Sequence, residues 1–274
     1  MIENECGVEI RRVPVETDTR APGGRTNAYL VVGSETVLVD PADRSDDLDA
    51  AVEQWPADHV ALTHTHPDHA TGLAGYASEL DADVWALRDE TDRFAQATGV
   101  YPDRTFGDGD AIGPLEVVST PGHAPDHVFF ECETPVNGTA VLCGDLAIAS
   151  GSIFVGGADG DMRAYLDSLR RLRERDPDVL YPGHGPTIEA PIETIDRLIE
   201  HRLERERRVL AAIESGASHP GAIVELAYET DLTGVEDLAR KAVVAHVEKL
   251  AAEGRVRWNP TTEHAEPSHG SGGK

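Results

Sequence analysis

THTHPDHATG, residues 63–72, places three histidines and one aspartate within ten positions. It overlaps the end of HVALTH (59–64), a run that reads as a short strand, and helical periodicity resumes over 71–80. If the strand ends near His64, the tight loop beyond it turns His64, His66, Asp68 and His69 toward one point above a sheet edge. Neutral imidazoles and a carboxylate are the donor set of zinc, and also serve iron or manganese. One segment rarely encloses a whole coordination sphere, so further ligands are expected on loops after other strands.

The chain supplies three. His123 lies in TPGHAPDH after LEVVS, Asp145 in CGDLA after TAVLC, and His184 in YPGHGP after DVLY. Each follows a β-rich run and has a glycine beside it, which lets backbone approach a crowded centre. His59, His127, His201, His219, His246, His264 and His269 read as ordinary surface or core residues. The ordered set HxHxDH…GH…GD…GHG makes an accidental gathering improbable.

Around these motifs the chain alternates strands and helices. VVGSETVLVD (31–40) is a buried-strand run, DVWAL (83–87), LEVVS, HVFFEC and TAVLC read as strands, and MRAYLDSLRRLRE (162–174) as a helix with one apolar face. From about residue 191 the texture changes to three helices and the strand RVRW (255–258). The expected division is 1–190, a catalytic α/β domain, 191–258, a small helical domain, and 259–274, a polar disordered tail.

Composition excludes several classes. The net charge is -26, from 50 acidic against 24 basic residues, of which Lys241, Lys249 and Lys274 are the lysines. Such an excess repels nucleic acid and membranes at low salt. With lysine depleted, it points to a salt-rich cytoplasm and a halophilic archaeon, where multimolar salt screens charge within about 3 Å. No run of eighteen apolar residues spans a membrane, and MIENECGVEI has no leader character, so a cytoplasmic protein is expected. Cys6, Cys132 and Cys143 are unpatterned and read as reduced thiols.

Over residues 8–190 the motif set resembles the metallo-β-lactamase fold superfamily. The resemblance implies an αββα sandwich of two mixed sheets with metals at one edge. It implies that His64, His66 and His123 bind one divalent ion, that Asp68, His69 and His184 bind a second, and that Asp145 bridges them, zinc being the expected metal. Two ions about 3.5 Å apart share a water and acidify it, which predicts hydrolysis, with Asp68 and His184 as catalytic residues. Thr71–Gly72 departs from the small-Gly pair more common there, beyond the ligands.

The C-terminal region resembles the winged-helix appendage of the β-lactamase-like protein 2 group, some members of which cleave single-stranded RNA. Arg202 and Arg205, within a basic island that also holds Arg207 and Arg208, are the expected substrate contacts. Pairing of these arginines with Glu200, Glu204 and Glu206 is the bland reading. A phosphodiesterase acting on single-stranded RNA is therefore expected, with thioester hydrolysis of the glyoxalase II type as the alternative. A mononuclear-iron thiol dioxygenase and a winged-helix regulator with a vestigial site rank lower. Sequence-specific DNA binding is disfavoured, and a homodimer is compatible with the appendage. β-Lactam hydrolysis is disfavoured by the absence of a leader, and no room for a β-CASP insertion lies between Asp145 and His184.

Overall fold

The protein is described by a computed structural model over residues 7–268; Cys6, His269 and Lys274 lie outside that range. The strands of the first half are β1 (Glu9–Glu16), β2 (Arg25–Val32), β3 (Thr36–Val39), β4 (His59–Ala61), β5 (Asp83–Leu87) and β6 (Arg104–Phe106), hydrogen-bonded in that order as a six-stranded sheet. Its first two pairings are antiparallel and the rest parallel. Then β7 (Ala111–Ile112), β8 (Leu115–Ser119), β9 (Val128–Thr134), β10 (Gly138–Gly144) and β11 (Val179–Pro182) form a second sheet in the order β11-β10-β9-β8-β7.

Side-chain alternation sets the layers. On β2, Tyr29 and Val31 point between the sheets, while Ala28 and Leu30 point to the outer face; β10 divides Ala140 and Leu142 from Val141 and Cys143 in the same way. The central layer joins Val37, Val39, Leu115, Val117 and Phe130. Outside the first sheet lie α1 (Asp46–Gln54), α3 (Leu73–Leu80) and α4 (Thr91–Thr98), reached in chain order past the single-turn α2 (Pro67–Ala70). Outside the second lie α5 (Met162–Glu174) and the start of α6 (Pro191–Glu214). The result is the expected αββα sandwich. Each fully buried Leu or Val side chain of these cores contributes about 1.5–3 kcal/mol.

Capping explains where the helices begin. Ser45 Oγ accepts from Leu48 N at 3.2 Å before a first turn carrying Asp46, Asp47 and Asp49. Asp161 accepts from the N–H groups of Arg163 and Ala164 at 2.9 and 3.0 Å, and α5 buries Tyr165, Leu166, Leu169 and Leu172.

The remaining elements are α7 (Pro220–Ala227), α8 (Glu236–Ala252), β12 (Val256–Asn259) and β13 (His264–Pro267). They share a core of their own, with Val209 and Ile213 of α6, Ile223, Val247, Val256 and Ala265. The change of core falls inside α6, whose Ile195 and Leu198 still belong to the sandwich. The expected disorder after 258 is overturned as far as residue 268. β13 pairs antiparallel with β12 from Val256↔Pro267 to Asn259↔His264. Asn259 Oδ1 accepts from Thr261 and Thr262 N–H to close the turn, and Ala265 is buried while Glu266 faces water. Residues 269–274 lie outside the described range. No described helix is long and apolar enough to cross a membrane.

Candidate metal centre

Strand direction brings the motifs to one edge. β8 and β10 are both antiparallel to β9, and β11 is parallel to β10, so His123, Asp145 and His184 follow strand ends on the same side of the sheet. In the other sheet His64 follows β4. Two backbone bonds stitch the sheets together there: Val128 N to Thr63 O and Asn27 N to Gly183 O, each 2.8 Å.

Within THTHPDHATG, Pro67 starts α2 with Asp68 in its first turn, and His69 is buried. Gly72 follows because a Cβ there would sit 2.2 Å from the Pro41 carbonyl. Gly183 is required for a similar reason, since its Cβ would lie 2.6 Å from both Asp145 Oδ1 and His69 Cε1.

All seven expected ligands converge. His66 Nδ1 lies 3.1 Å from His64 Nε2 and 2.9 Å from His123 Nε2. His184 Nε2 lies 3.4 Å from His69 Nε2 and 3.6 Å from Asp68 Oδ2. Asp145 stands between the two groups, with Oδ1 3.6 Å from His69 and 3.4 Å from His184, and Oδ2 3.5 Å from His123. Ligand atoms of His64, His66 and His123, of His64, His69 and Asp145, and of Asp68, His69 and His184 each fall within 4.8 Å of one another.

The outer ring nitrogens decide what these imidazoles offer. His123 Nδ1 donates to Phe154 O and His184 Nδ1 to Arg25 O, both at 2.8 Å. His69 Nδ1 donates to Asp40 Oδ2 at 2.9 Å, and His66 Nε2 to Asp159 Oδ2 at 3.3 Å. Thr63 Oγ1 gives its proton to Asp40 Oδ2 at 2.7 Å and accepts from His64 Nδ1 at 3.1 Å. In its neutral form each ring therefore has its proton tied outward and turns a lone pair inward. Asp145 Oδ1 is buried with no hydrogen-bond donor among the described residues. Five inward lone pairs and an orphaned carboxylate oxygen fit divalent cations and little else.

The electrostatics agree. Burial, then His69 and His123, hold His64 well below the usual histidine range. Burial opposes charge on His69, yet Asp40, Asp145 and Asp68 outweigh it and raise the ring to about 9. Burial also opposes charge on Asp145, but His184, His69 and His123 hold its carboxyl below the ordinary range. The acidic side of the cluster thus draws positive charge to its centre, which is the field of a cation site.

A family model described as the metallo-β-lactamase superfamily matches residues 21–184. The chain belongs to this superfamily. Thioesterase pkgB of Emericella nidulans is 32% identical over 195 residues, 69% of this chain and 54% of that protein, so the chain spans about half its length. A β-lactamase-like protein 2 homologue of Drosophila melanogaster is 27% identical over 87% of this chain and 86% of its own. The crystal structure of a metallo-β-lactamase family protein from Thermus thermophilus covers 94% of this chain and 98% of its own, at 24% identity and a TM-score of 0.74. That likeness shows the fold.

Other residues that build the site were not legible as such. Asp40 ends the run VLVD in a positive-φ conformation (φ 51°), and its two oxygens hold Thr63 N, Thr63 Oγ1 and His69. Arg93 grips Asp159 through two bonds of 3.0 and 2.8 Å and reaches Asp126 at 3.1 Å, bracing His66 from behind. His127 is fully buried against the cluster without being a ligand. Its Nε2 accepts from Asp145 N at 3.2 Å, and its Nδ1 is within 2.9 Å of Thr120 Oγ1. Asp40 and His127 carry one signal only, an Asp or His beside an apolar run.

The basic island is largely neutralised. Arg207 pairs with Glu200 and Glu204, Arg208 with Glu204 and Glu229, Arg240 with Glu263, and Lys249 with Glu206 and Glu253. Arg202 is buried and donates to the Ile153 carbonyl. Arg205 lies over the Tyr228 ring with 3.4 Å from guanidinium carbon to ring centroid.

Proposed function

We propose that the protein is a metal-dependent hydrolase of acyl thioesters. The observation that carries this reading is the cavity on which the ligand cluster opens. It holds about 450 Å³ and is walled by His66, Asp68, His123, Asp145 and His184 on one side and Ile148, Ile153, Phe154 and Leu238 on another. Apolar walls beside a polar reaction centre suit an acyl chain with a reactive carbonyl. The likeness to a thioesterase supports the reading. Single-stranded RNA, the substrate expected from the C-terminal resemblance, loses support because Arg207 and Arg208 are ion-paired and Arg202 is buried, which leaves Arg205 alone of the island for a polyanionic backbone. Arg20, at the cavity, pairs with Asp237 at 3.0 Å.

In this proposal His64, His66 and His123 hold one ion, Asp68, His69 and His184 a second, and Asp145 faces both. Such ions, zinc by the donor set and manganese or iron by the same chemistry, supply a water acidified toward hydroxide and polarise an acyl carbonyl. The protein's own groups do the rest. Asp68 Oδ2, 3.6 Å from His184 Nε2 and partly open to the cavity, accepts the proton of the attacking water. His184, anchored at Nδ1 by the Arg25 carbonyl, keeps its Nε2 aimed at the same point. Ile153 and Phe154 exclude bulk water from the acyl group.

We read α6 through β13 as the winged-helix-like appendage, here completing the cavity through Leu238 of α8. The test is a panel on zinc- or manganese-loaded protein at high and low salt: S-lactoylglutathione and longer acyl thioesters, single-stranded RNA, and bis-p-nitrophenyl phosphate. Thioester turnover without phosphodiester cleavage is expected. RNA cleavage with no thioester turnover overturns the reading, and one iron per chain with thiol oxidation replaces it by the oxygenase.

A further inference from the structure

A second cavity of about 290 Å³ adjoins the metal cavity and shares Ser152, Ile153, Phe154 and Leu238 with it. Its other walls include His201, Arg202, Arg205 and Tyr228. The dividing segment is fastened at both sides: the Phe154 carbonyl accepts from the ligand His123 at 2.8 Å, and the Ile153 carbonyl accepts from Arg202.

The charges here are unusual for this chain. On α6, Arg207 and Arg208 are paired with glutamates, but Arg202 and Arg205 have no carboxylate within ion-pair distance among the described residues. Arg202 is only 4% exposed, and its Nε has no partner among those residues. Arg205 is held flat by Tyr228 and by a 3.4 Å contact to the Ala227 carbonyl. Burial, then Arg202 and Arg205, push His201 down to about 4, so that ring adds no cation of its own at neutral pH. A buried and a half-buried guanidinium without a counter-charge are costly, and stand out in a protein with a net charge of -26. A phosphate is the group that planar N–H donors of this kind match.

We propose that this second cavity binds a phosphate ester at the distal end of the thioester's carrier arm, with Arg205 as its main contact and Arg202 positioning the Ser152–Phe154 segment between arm and acyl group. The proposal rests on the thioesterase reading for the identity of the arm, whereas its binding site is testable alone.

Calorimetry on the metal-loaded full chain compares 4′-phosphopantetheine with pantetheine. Both carry the same thiol, which meets the metals alike, so any difference isolates the phosphate. The phosphorylated compound should bind at least about tenfold more tightly, the worth of a charge-assisted contact. Arg205→Gln should abolish that difference and Arg205→Lys keep part of it, with metal content and circular dichroism unchanged. In turnover, Arg205→Gln should raise KM about tenfold for a phosphopantetheine thioester and leave kcat, and both constants for an N-acetylcysteamine thioester, as they were. If no thioester is hydrolysed the functional reading fails, and the binding comparison still decides the site. Equal binding of the two compounds, or an Arg205→Gln protein that binds like wild type, overturns the proposal. So does a single-stranded oligonucleotide that binds through Arg205 where phosphopantetheine does not.

Discussion

Asp40 Oδ2 lies 2.9 Å from His69 Nδ1, and both residues are buried at the junction of the two sheets. The same carboxylate takes Thr63 N and Thr63 Oγ1 at 2.7 Å each, and Thr63 in turn holds His64. One side chain therefore sets the tautomer of a proposed ligand on each side of the cluster.

Asp40→Asn tests this with little backbone disturbance, because Asn tolerates the φ of 51° that Asp40 adopts. The amide has a single acceptor oxygen for three donors, so an NH2 group must face a donor. Metal affinity should fall by about 10–100-fold, the usual effect of losing such a partner. Competition against a chromophoric chelator reads it, and unchanged affinity would show that Asp40 is only a scaffold residue.

Gly183 and Gly185 provide a matched pair. A Cβ at Gly183 meets Asp145 Oδ1 and His69 Cε1 at 2.6 Å, whereas one at Gly185 meets nothing within 4 Å and only the φ of 80° resists it. Gly183→Ala should lower bound metal to under one ion per chain in a folded protein. Gly185→Ala should cost about 1–2 kcal/mol of stability and keep its metal. Metal analysis beside a denaturant titration separates them, and equal metal content in the two variants would contradict the packing argument.

The gathering of the HxHxDH stretch with the glycine-flanked His123, Asp145 and His184 was readable because side chains able to hold a metal are of a few residue types, and strand–loop boundaries show in apolar runs. Asp40 was not, since an aspartate after VLV is an ordinary turn residue until the chain brings Thr63 and His69 to it. His127 looked ordinary, yet it bolts Asp145 in place without binding metal. Arg93 supports His66 through Asp159, 66 positions away in sequence, a relation no local pattern encodes. β13 was missed because HAEP has one inward apolar residue, Ala265, too little for alternation to register. Arg202 and Arg205 could be named from sequence, and Glu200 and Glu204 as partners of Arg207 and Arg208, but that Glu206 pairs with Lys249 of α8 and with no arginine among the described residues could not.

Removing the metals should weaken the fold as well as stop turnover. Without ions the inward lone pairs and the orphan Asp145 Oδ1 are left facing one another. At a hundredfold excess over Kd a bound ion contributes about 2.7 kcal/mol, roughly 5–10 °C in Tm for a protein of this size. Chelator-treated protein should melt lower by at least that much and recover on adding zinc or manganese. A Tm indifferent to chelator and to added metal would remove the ions from the structural account.

His246 supplies a pH dependence outside the metal site. It is fully buried on α8, and neither ring nitrogen has a partner among the described residues. Burial, then Arg202 and Arg205 from α6 and Lys249 from its own helix, hold it well below the ordinary histidine value of 6.5. The unfolded chain, with an ordinary histidine, binds its proton first as pH falls. Stability from this residue is therefore intact above about pH 6.5 and declines steadily below it, by up to about 1.4 kcal/mol per pH unit. With both proteins saturated with metal, so that the ligand histidines do not titrate, denaturant midpoints at about pH 7.5 and 5.5, on either side of that ordinary value, isolate the effect. Wild type should lose more stability over that interval than His246→Leu, which has no proton to take up and no unpaired ring nitrogens to bury. Parallel losses in the two proteins would mean that His246 does not contribute to acid sensitivity.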